Sequence, residues 1–493
     1  MKGNFNRKRR GEMEKKKSGE SEQLAKNGGL NRREFLHVAG GALGVAAIGS
    51  VAVSHGARAG SKESAGVEEM IRVATYTGGL VGPTFSMLGP VKDGGTIIAE
   101  TAPGCWGPMI TPKFKGGHEV TQPVAVEGAK VGDAVVIRIE EVKVTSIATS
   151  SGVHEAIEGT FIGDPFVARK CPKCNTKSPE TYVDGIGWQA IKCKNCKASA
   201  CPFKMPHGYT MAFNTENALG VTVGRTTVEK MAKEARKYSA LPAASQQHSI
   251  LVFAKHDIPG VLTRIRPMIG NIGTTPPITM PDSHNAGDFG QFLVGAPHEY
   301  GLTQKQLEMR TDGHMDIDSV RQGAILVCPV KVDGAGIYVG DVHAMQGDGE
   351  IAVHTTDVSG EVTLKVEVIK GLTIDGPLLL PPEEDLPLLA KPLTPEELNK
   401  GRAMAEQYGV ELEELAPIQV VGTGADLSAA VGNGLARTAK LLNMSDGEVR
   451  NRVTITGAVE IGRAPGVVTI SIMAPIGQLQ KIGIAHLVKE QYA

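Results

Sequence analysis

The chain is 493 residues long, enough to bury a large core and to hold more than one domain. Aromatic residues make up only 4%, while Gly (61) and Pro (28) are abundant, which favours short strands joined by tight turns over long helices. Formal charge is near zero but uneven: residues 1–59 hold 12 Lys+Arg against 5 Asp+Glu, leaving 40 against 48 beyond them, so an acidic body excludes nucleic acid as partner and points to a small molecule.

In chain order, the first element is an address. A basic tract precedes "NRREFL" at 31–36, an apolar Gly/Ala-rich run follows from Val38 to Val53, and "ARA" closes it at 57–59. This is the plan of an export signal with a small-x-small cleavage site. Arg32-Arg33 followed by Phe35-Leu36 resembles the twin-arginine signal, with Asn31 where Ser or Thr is usual. The expectation is export through the twin-arginine machinery to a periplasmic or other extracytoplasmic location, with no membrane span in the mature form. The alternative is an uncleaved anchor, although about 16 residues is short for a span.

Residues 60–167 read as a β-rich region, with "AVVIRIEEV" alternating as a strand with one wet face. An insert at 168–203 carries "CPKC…CKNC", two pairs with two-residue gaps separated by 18 residues. Cys171, Cys174, Cys193 and Cys196 at this spacing predict a four-thiolate zinc ribbon, structural because no coordination position stays open. A rubredoxin-like iron site and disulfides are the alternatives. Export of an already folded chain would let zinc load in a reducing compartment. Cys328 in "AILVCPVKV" is expected in a buried strand.

Residues 204–372 read as a second β-rich region carrying the chemistry. A capped helix is expected over 226–240, with Thr226 and Glu229 as its box, and residues 273–318 read as a long loop over a site. The stretch "YVGDVHAMQGDGEIAV" places Asp341, His343, Asp348 and Glu350 within ten positions. Read as a hairpin, it pairs Asp341 with His343 and Asp348 with Glu350 on shared faces. A second cluster, "TDGHMDIDS", holds Asp312, His314, Asp316 and Asp318. A third, "MPDSHNAGDFG", holds Asp282, His284 and Asp288. Asp and Gly are also ordinary turn residues, so "QGDGE" has a bland reading as a hairpin tip. "DGHMDIDS" lacks the downstream Glu of a calcium loop. Residues 373–493 read as a Pro-rich linker, then helices opening at Thr394, Asp426 and Ser445, then a last strand, "GVVTISIMAP".

The blocks "RPMIGNIGTTPP", "HMD", "GAILVCPVKVDGAGIYVGDVHAMQGDGE" and "QPVAVEGAKVGD" resemble the acetamidase/formamidase family over roughly residues 95–480. The resemblance implies hydrolysis of small linear amides, or of cyclic ones, to a carboxylate and ammonia, and it suggests a homo-oligomer. Two features depart from the family pattern: His314 stands where Asn is usual in "GGNMD", and residues 280–311 form a longer insertion.

The expected fold is therefore α+β and β-dominated, with antiparallel sandwich- or barrel-like sheets, C-terminal helices and the inserted ribbon. No serine-amidase or nitrilase signature is present, so attack by activated water is expected, with Glu350 or Asp348 as base. A second divalent cation, zinc or calcium, is a candidate at Asp341, His343 and His314, with Asp316 and His284 as further substrate or metal candidates. Cys105 in "PGCWGP" is a minor candidate nucleophile. The rival reading is an exported, non-catalytic binding protein on the same scaffold.

Overall fold

The computed structural model describes residues 66–492 apart from 164–166 and 255; the expected signal at 1–59 lies outside the described residues. Residues 63–493 cluster as one unit. Strands dominate, and one mixed sheet of thirteen draws them from the whole length of this unit. From one edge its order is Met268–Thr274, Ile337–His343, Val124–Val126, Leu88–Thr101, Gly360–Ile369, Ala134–Val144, Ile325–Pro329, Leu378–Leu380, Leu415–Thr423, Val467–Pro475 and Ala458–Arg463. Glu68–Val73 adds in parallel to Leu88–Thr101, and Asp357–Val358 pairs with Ile337–His343. The regions separated at 60–167, 204–372 and 373–493 by sequence thus share one sheet.

The period-two side-chain alternation of a strand explains why this sheet is buried on both faces. Val135, Ile137, Leu326 and Cys328 point into one apolar core. Their neighbours Ala134, Val136, Ile325 and Val327 point into a second core, closed by the C-terminal helices through Ala430, Leu435, Val449 and Leu487. Three helices start at their expected side-chain caps: Pro395–Gln407 carries the full Thr394/Glu397 box, and Asp426 caps Leu427–Leu442. Ser445 caps Asp446–Thr456 by accepting from the Glu448 N–H. No helix among the described residues is long and apolar enough to cross a membrane.

A second, five-stranded sheet holds Ala148–Ala156, Phe203–Asn214, Leu219–Thr222, His256–Asp257 and Leu262–Arg264. Between its first two strands lies the cysteine insert, built on a hairpin of Thr181–Val183 with Ile191–Cys193.

Four local expectations are corrected. The helix expected over 226–240 is two pieces, Arg225–Ala232 and Ala235–Tyr238, and Gly224 caps the first without a side chain. Glu229 is engaged by Arg225 Nε at 2.8 Å instead of closing a box. The Pro-rich linker contains Leu378–Leu380, a buried strand of the main sheet, because three consecutive leucines can fill both cores. Residues 273–318 are ordered by a short 3-10 turn, Asp282–His284, and by the helices Gly287–Leu293 and Gln304–Leu307. The descending arm of the expected hairpin is absent: residues 344–356 turn irregularly, and His343 pairs with Asp357 on one side and Met268 on the other.

Candidate active site and four-cysteine cluster

The site begins with a flaw in strand pairing. Ile337–His343 is buried along its whole length, and its register with Met268–Thr274 runs on both sides of Asp341 but skips the Asp341–Gly270 pair. Asp341 adopts φ 55, in the left-handed region that short polar side chains tolerate better than most. Freed from strand pairing, the Gly270 carbonyl accepts from the N–H groups of Met315 (2.9 Å) and Asp316 (3.0 Å). The "DGHMD" segment is thereby laid against the strand. A Cβ on Gly270 would lie 2.3 Å from Asp316 Oδ1 and 2.9 Å from Asp341 Oδ2, so the absent side chain is what lets the two carboxylates approach.

The two acidic–imidazole clusters therefore meet. His314 Nε2 lies 3.1 Å from Asp316 Oδ2 and 3.7 Å from Asp341 Oδ2, all buried. His343 Nε2 is 3.2 Å from Asp341 Oδ1 and 3.5 Å from Asp357 Oδ1, while its Nδ1 faces Gln346 Oε1 at 2.9 Å. Asp341 Oδ1 and His343 Nε2 nonetheless lack a well-aligned hydrogen bond. His118 joins from the N-terminal region, with Nδ1 3.0 Å from Asp282 Oδ2 and Nε2 3.8 Å from Asp341 Oδ2.

Arg463, fully buried, holds the far side. It donates to both oxygens of Asp288 at 2.9 Å, stacks 4.6 Å over the Phe289 ring and pairs with Asp316. Gly349 bridges to Arg463 and its carbonyl accepts from Ala464, which docks the Glu350 turn onto the last strand pair.

His118, His314, Asp316, Asp341 and Glu350 line a cavity of about 40 Å³ with Cys105, Met109, Arg169, Phe203, Ser283, Phe289, Val353 and His354. That volume suits water or a very small molecule. A larger cleft of about 490 Å³ lies elsewhere, and three of the four cations that line it, Lys370, Arg437 and Lys440, are paired with Asp133, Asp312 and Asp375.

Electrostatics around Asp341 oppose burial. Burial disfavours a charged His118, yet Asp341 and Asp282 outweigh it and push the imidazole up to about 10. His343 is likewise raised against burial, chiefly by Asp341. Burial would raise Asp341 itself, but His118 and His343 hold it well below the usual carboxylate range. Glu350 moves the other way: burial first, then the charge of Asp316, pushes its carboxyl well above the ordinary value. Its backbone is strained at φ 41, and Val353 at φ 66 is a sharper outlier for a β-branched residue; both line the cavity.

The candidate residues fare differently. Glu350, Asp341, His314 and Asp316 line the cavity, and His343 stands directly behind Asp341. Asp348 is a correction: it is exposed, because the missing descending strand leaves it on the outer side of the turn while Glu350 turns inward. His284 is buried beside Phe289, with Nδ1 3.0 Å from Ser283 Oγ, and the cavity wall takes Ser283 in its place. His118, His354, Asp357 and Arg463 carry no motif signal in the sequence. His118 and Arg463 lie far along the chain from the two acidic clusters, while His354 and Asp357 follow Glu350 closely but outside its alternating pattern.

Among the described residues, three groups of donors share Asp341 and have the spacing to hold a metal ion: Cys105/His118/Asp341, His314/Asp316/Asp341 and Asp341/His343/Asp357. The fourth group is Cys171, Cys174, Cys193 and Cys196. Its two knuckles are built alike. Asn175 N–H donates to Cys171 O and Lys197 N–H to Cys193 O, and both Asn175 (φ 59) and Lys197 (φ 65) take the left-handed turn that closes the loop. Sγ–Sγ separations are 3.6 Å for Cys171–Cys196 and 3.8 Å for Cys174–Cys193. Four sulfurs about 2.3 Å from a central ion stand roughly 3.8 Å apart, so the donor set fits a tetrahedral metal. Disulfides would need sulfurs at about 2.05 Å.

A candidate formamidase of Schizosaccharomyces pombe is 35% identical over 74 residues, which is 14% of this chain and 18% of that protein's length. A recombinant predicted acetamidase/formamidase from Thermoanaerobacter tengcongensis aligns over 85% of this chain and 99% of its own, at 18% identity and a TM-score of 0.47. An acetamidase from Bacillus halodurans aligns over 84% and 99%, at 18% identity and a TM-score of 0.45. The model of the acetamidase/formamidase family matches residues 104–478, most of the described chain. This chain belongs to the acetamidase/formamidase family.

Proposed function

We propose that the protein hydrolyses small linear or cyclic amides to a carboxylate and ammonia, or to an amino acid where the amide is cyclic. The observation that carries this reading is the convergence of Glu350, Asp341, Asp316, His118 and His314 on one small buried cavity. An amide needs an activated nucleophile, stabilisation of its oxyanion and a proton for its nitrogen. Ionised Glu350 takes a proton from water as the water oxygen bonds to the carbonyl carbon. His118, held cationic by Asp341 and Asp282, faces the oxygen that gains charge. Burial and the Arg463 charge lower the His314 imidazole, but Asp316 and Asp341 outweigh them and raise it, and it faces the same oxygen. Glu350 then returns the proton to nitrogen as the C–N bond breaks. A divalent cation on the Asp341 cluster would polarise the carbonyl and acidify the attacking water.

The same reading gives the four-cysteine cluster a structural zinc and the N-terminus an export role. The test is ammonia release by the purified protein from a panel of formamide, acetamide, propionamide and small lactams, the lactams followed by ring opening. Turnover of at least one supports the proposal. No turnover of any, with amides still binding, refutes it in favour of a binding protein on this scaffold.

A further inference from the structure

The cavity contains a thiol that the hydrolytic scheme above does not use. We propose that Cys105, His118 and Asp341 form a three-ligand site for a borderline-soft divalent cation of the zinc class, with its open position facing the cavity. This deepens the hydrolase reading by fixing where and which kind of metal binds.

Distance comes first. Cys105 Sγ is 3.6 Å from His118 Nε2, and His118 Nε2 is 3.8 Å from Asp341 Oδ2, with all three donor atoms within 4.8 Å of one another. A zinc ion bonded at about 2.3 Å to sulfur and about 2.05 Å to nitrogen sets those two atoms roughly 3.5 Å apart. All three residues line the cavity, so a fourth position is left for water or substrate, as in three-ligand catalytic zinc sites.

The surroundings are built for it. Asp282 Oδ2 holds His118 Nδ1 at 3.0 Å and is itself fixed by Asn271 Nδ2 at 2.6 Å, so Nε2 is turned toward the thiol. A carboxylate on the remote nitrogen of a ligating imidazole is the usual support of a metal-bound histidine. His354 Nδ1 lies 3.0 Å from Cys105 Sγ, and His354 Nε2 lies 2.6 Å from His154 Nδ1. Burial and the charges of Asp357 and Asp341 raise the Cys105 thiol, so the bound cation itself must displace its proton. Gly104 brings the Cys105 turn against Asp341, since a Cβ there would fall 1.7 Å from Asp341 Oδ1.

The two competing donor sets are weaker. His314 and Asp316 already contact the Arg463 guanidinium, which repels a second cation. His343 and Asp357 stand outside the cavity lining, so an ion there would meet no substrate. A thiol ligand also excludes the hard cations calcium and magnesium, which take oxygen donors.

The experiment counts metal in the purified full chain after equilibration with zinc, and again with cobalt, whose bonds to thiolate give a near-ultraviolet charge-transfer band. The wild type should hold two zinc ions, one in the four-cysteine cluster. Cys105→Ser and, separately, His118→Ala should each drop the content from two to one. In a Cys174→Ser background, the cobalt–thiolate band attributable to the cavity should vanish when Cys105→Ser is added. The proposal is overturned if the wild type holds one ion, or if either cavity variant that melts as the wild type does keeps the second. Metal counting does not read turnover, so this site and the amidase reading can fail separately.

Discussion

Gly270→Ala is the sharpest test of how the site is assembled. Its backbone is not in the left-handed region, so alanine is tolerated by the chain itself, and the whole effect must come from contact. The new Cβ would sit 2.3 Å from Asp316 Oδ1, about 1 Å short of ordinary van der Waals contact, and 2.9 Å from both the carbonyl oxygen and Oδ2 of Asp341. Asp316 cannot swing away freely, because its other oxygen is held by Arg463 and by His314 Nε2 at 3.1 Å. The carboxylates or the "DGHMD" segment must therefore shift by most of an ångström. A displacement of that size costs about 10²-fold in rate, and the overpacking costs about 1–3 kcal/mol in stability. Ammonia release at saturating and subsaturating amide gives kcat and kcat/KM, and urea unfolding gives the stability. Gly347→Ala is the control, since its Cβ would meet nothing within 4 Å. A Gly270→Ala protein as fast as the Gly347→Ala control would refute the claim that this contact positions the Asp316 and Asp341 carboxylates for turnover.

Other consequences follow from the same geometry. Glu350→Gln should lower kcat by about 10²–10⁴-fold with an unchanged melting curve. Because the Glu350 carboxyl is raised and must be ionised to accept a proton from water, wild-type kcat/KM should rise with pH through a midpoint above the ordinary glutamate range, and a midpoint at or below that range would count against the assignment. Arg463→Met leaves Asp288 and Asp316 buried without their cation and should cost about 3–5 kcal/mol in a urea midpoint measurement. Asp312 is buried, which would raise its carboxyl, but Arg310 and Arg437 outweigh burial and depress it. Its stabilisation is therefore present above the unfolded value of about 3.9 and lost as pH falls toward the folded one. Asp312→Asn should be less stable at neutral pH and show a flatter acid limb in pH-dependent unfolding. Cys174→Ser should release one metal ion and speed amide exchange in the Thr181–Cys193 hairpin, leaving the main sheet protected.

Local chemistry accounts for what could be read along the chain. The knuckle spacing placed four thiols at tetrahedral distance because both loops close within a few residues. The caps at Thr394, Asp426 and Ser445 act over three residues, so they were visible in the letters. Leu378–Leu380 was hidden because a run of leucines is equally compatible with a linker and with a strand filled on both sides. Asp348 and Glu350 are indistinguishable as members of an alternating pattern. Only the irregular turn at φ 41 separates an exposed carboxylate from a buried one.

The sequence by itself determined the strand-dominated composition, the cysteine cluster and the family, each carried by neighbours within a few tens of residues. It also named the two acidic clusters at 312–318 and 341–350. Only the tertiary structure decided that His314, Asp316, Asp341 and Glu350 share one cavity, and that Cys105, His118, Asp282 and Arg463 join them from distant segments. The physical reason is that a thirteen-stranded mixed sheet brings together residues hundreds of positions apart. A carboxylate such as Asp341 can be kept ionised in its interior only where several such segments each contribute a cation or a donor.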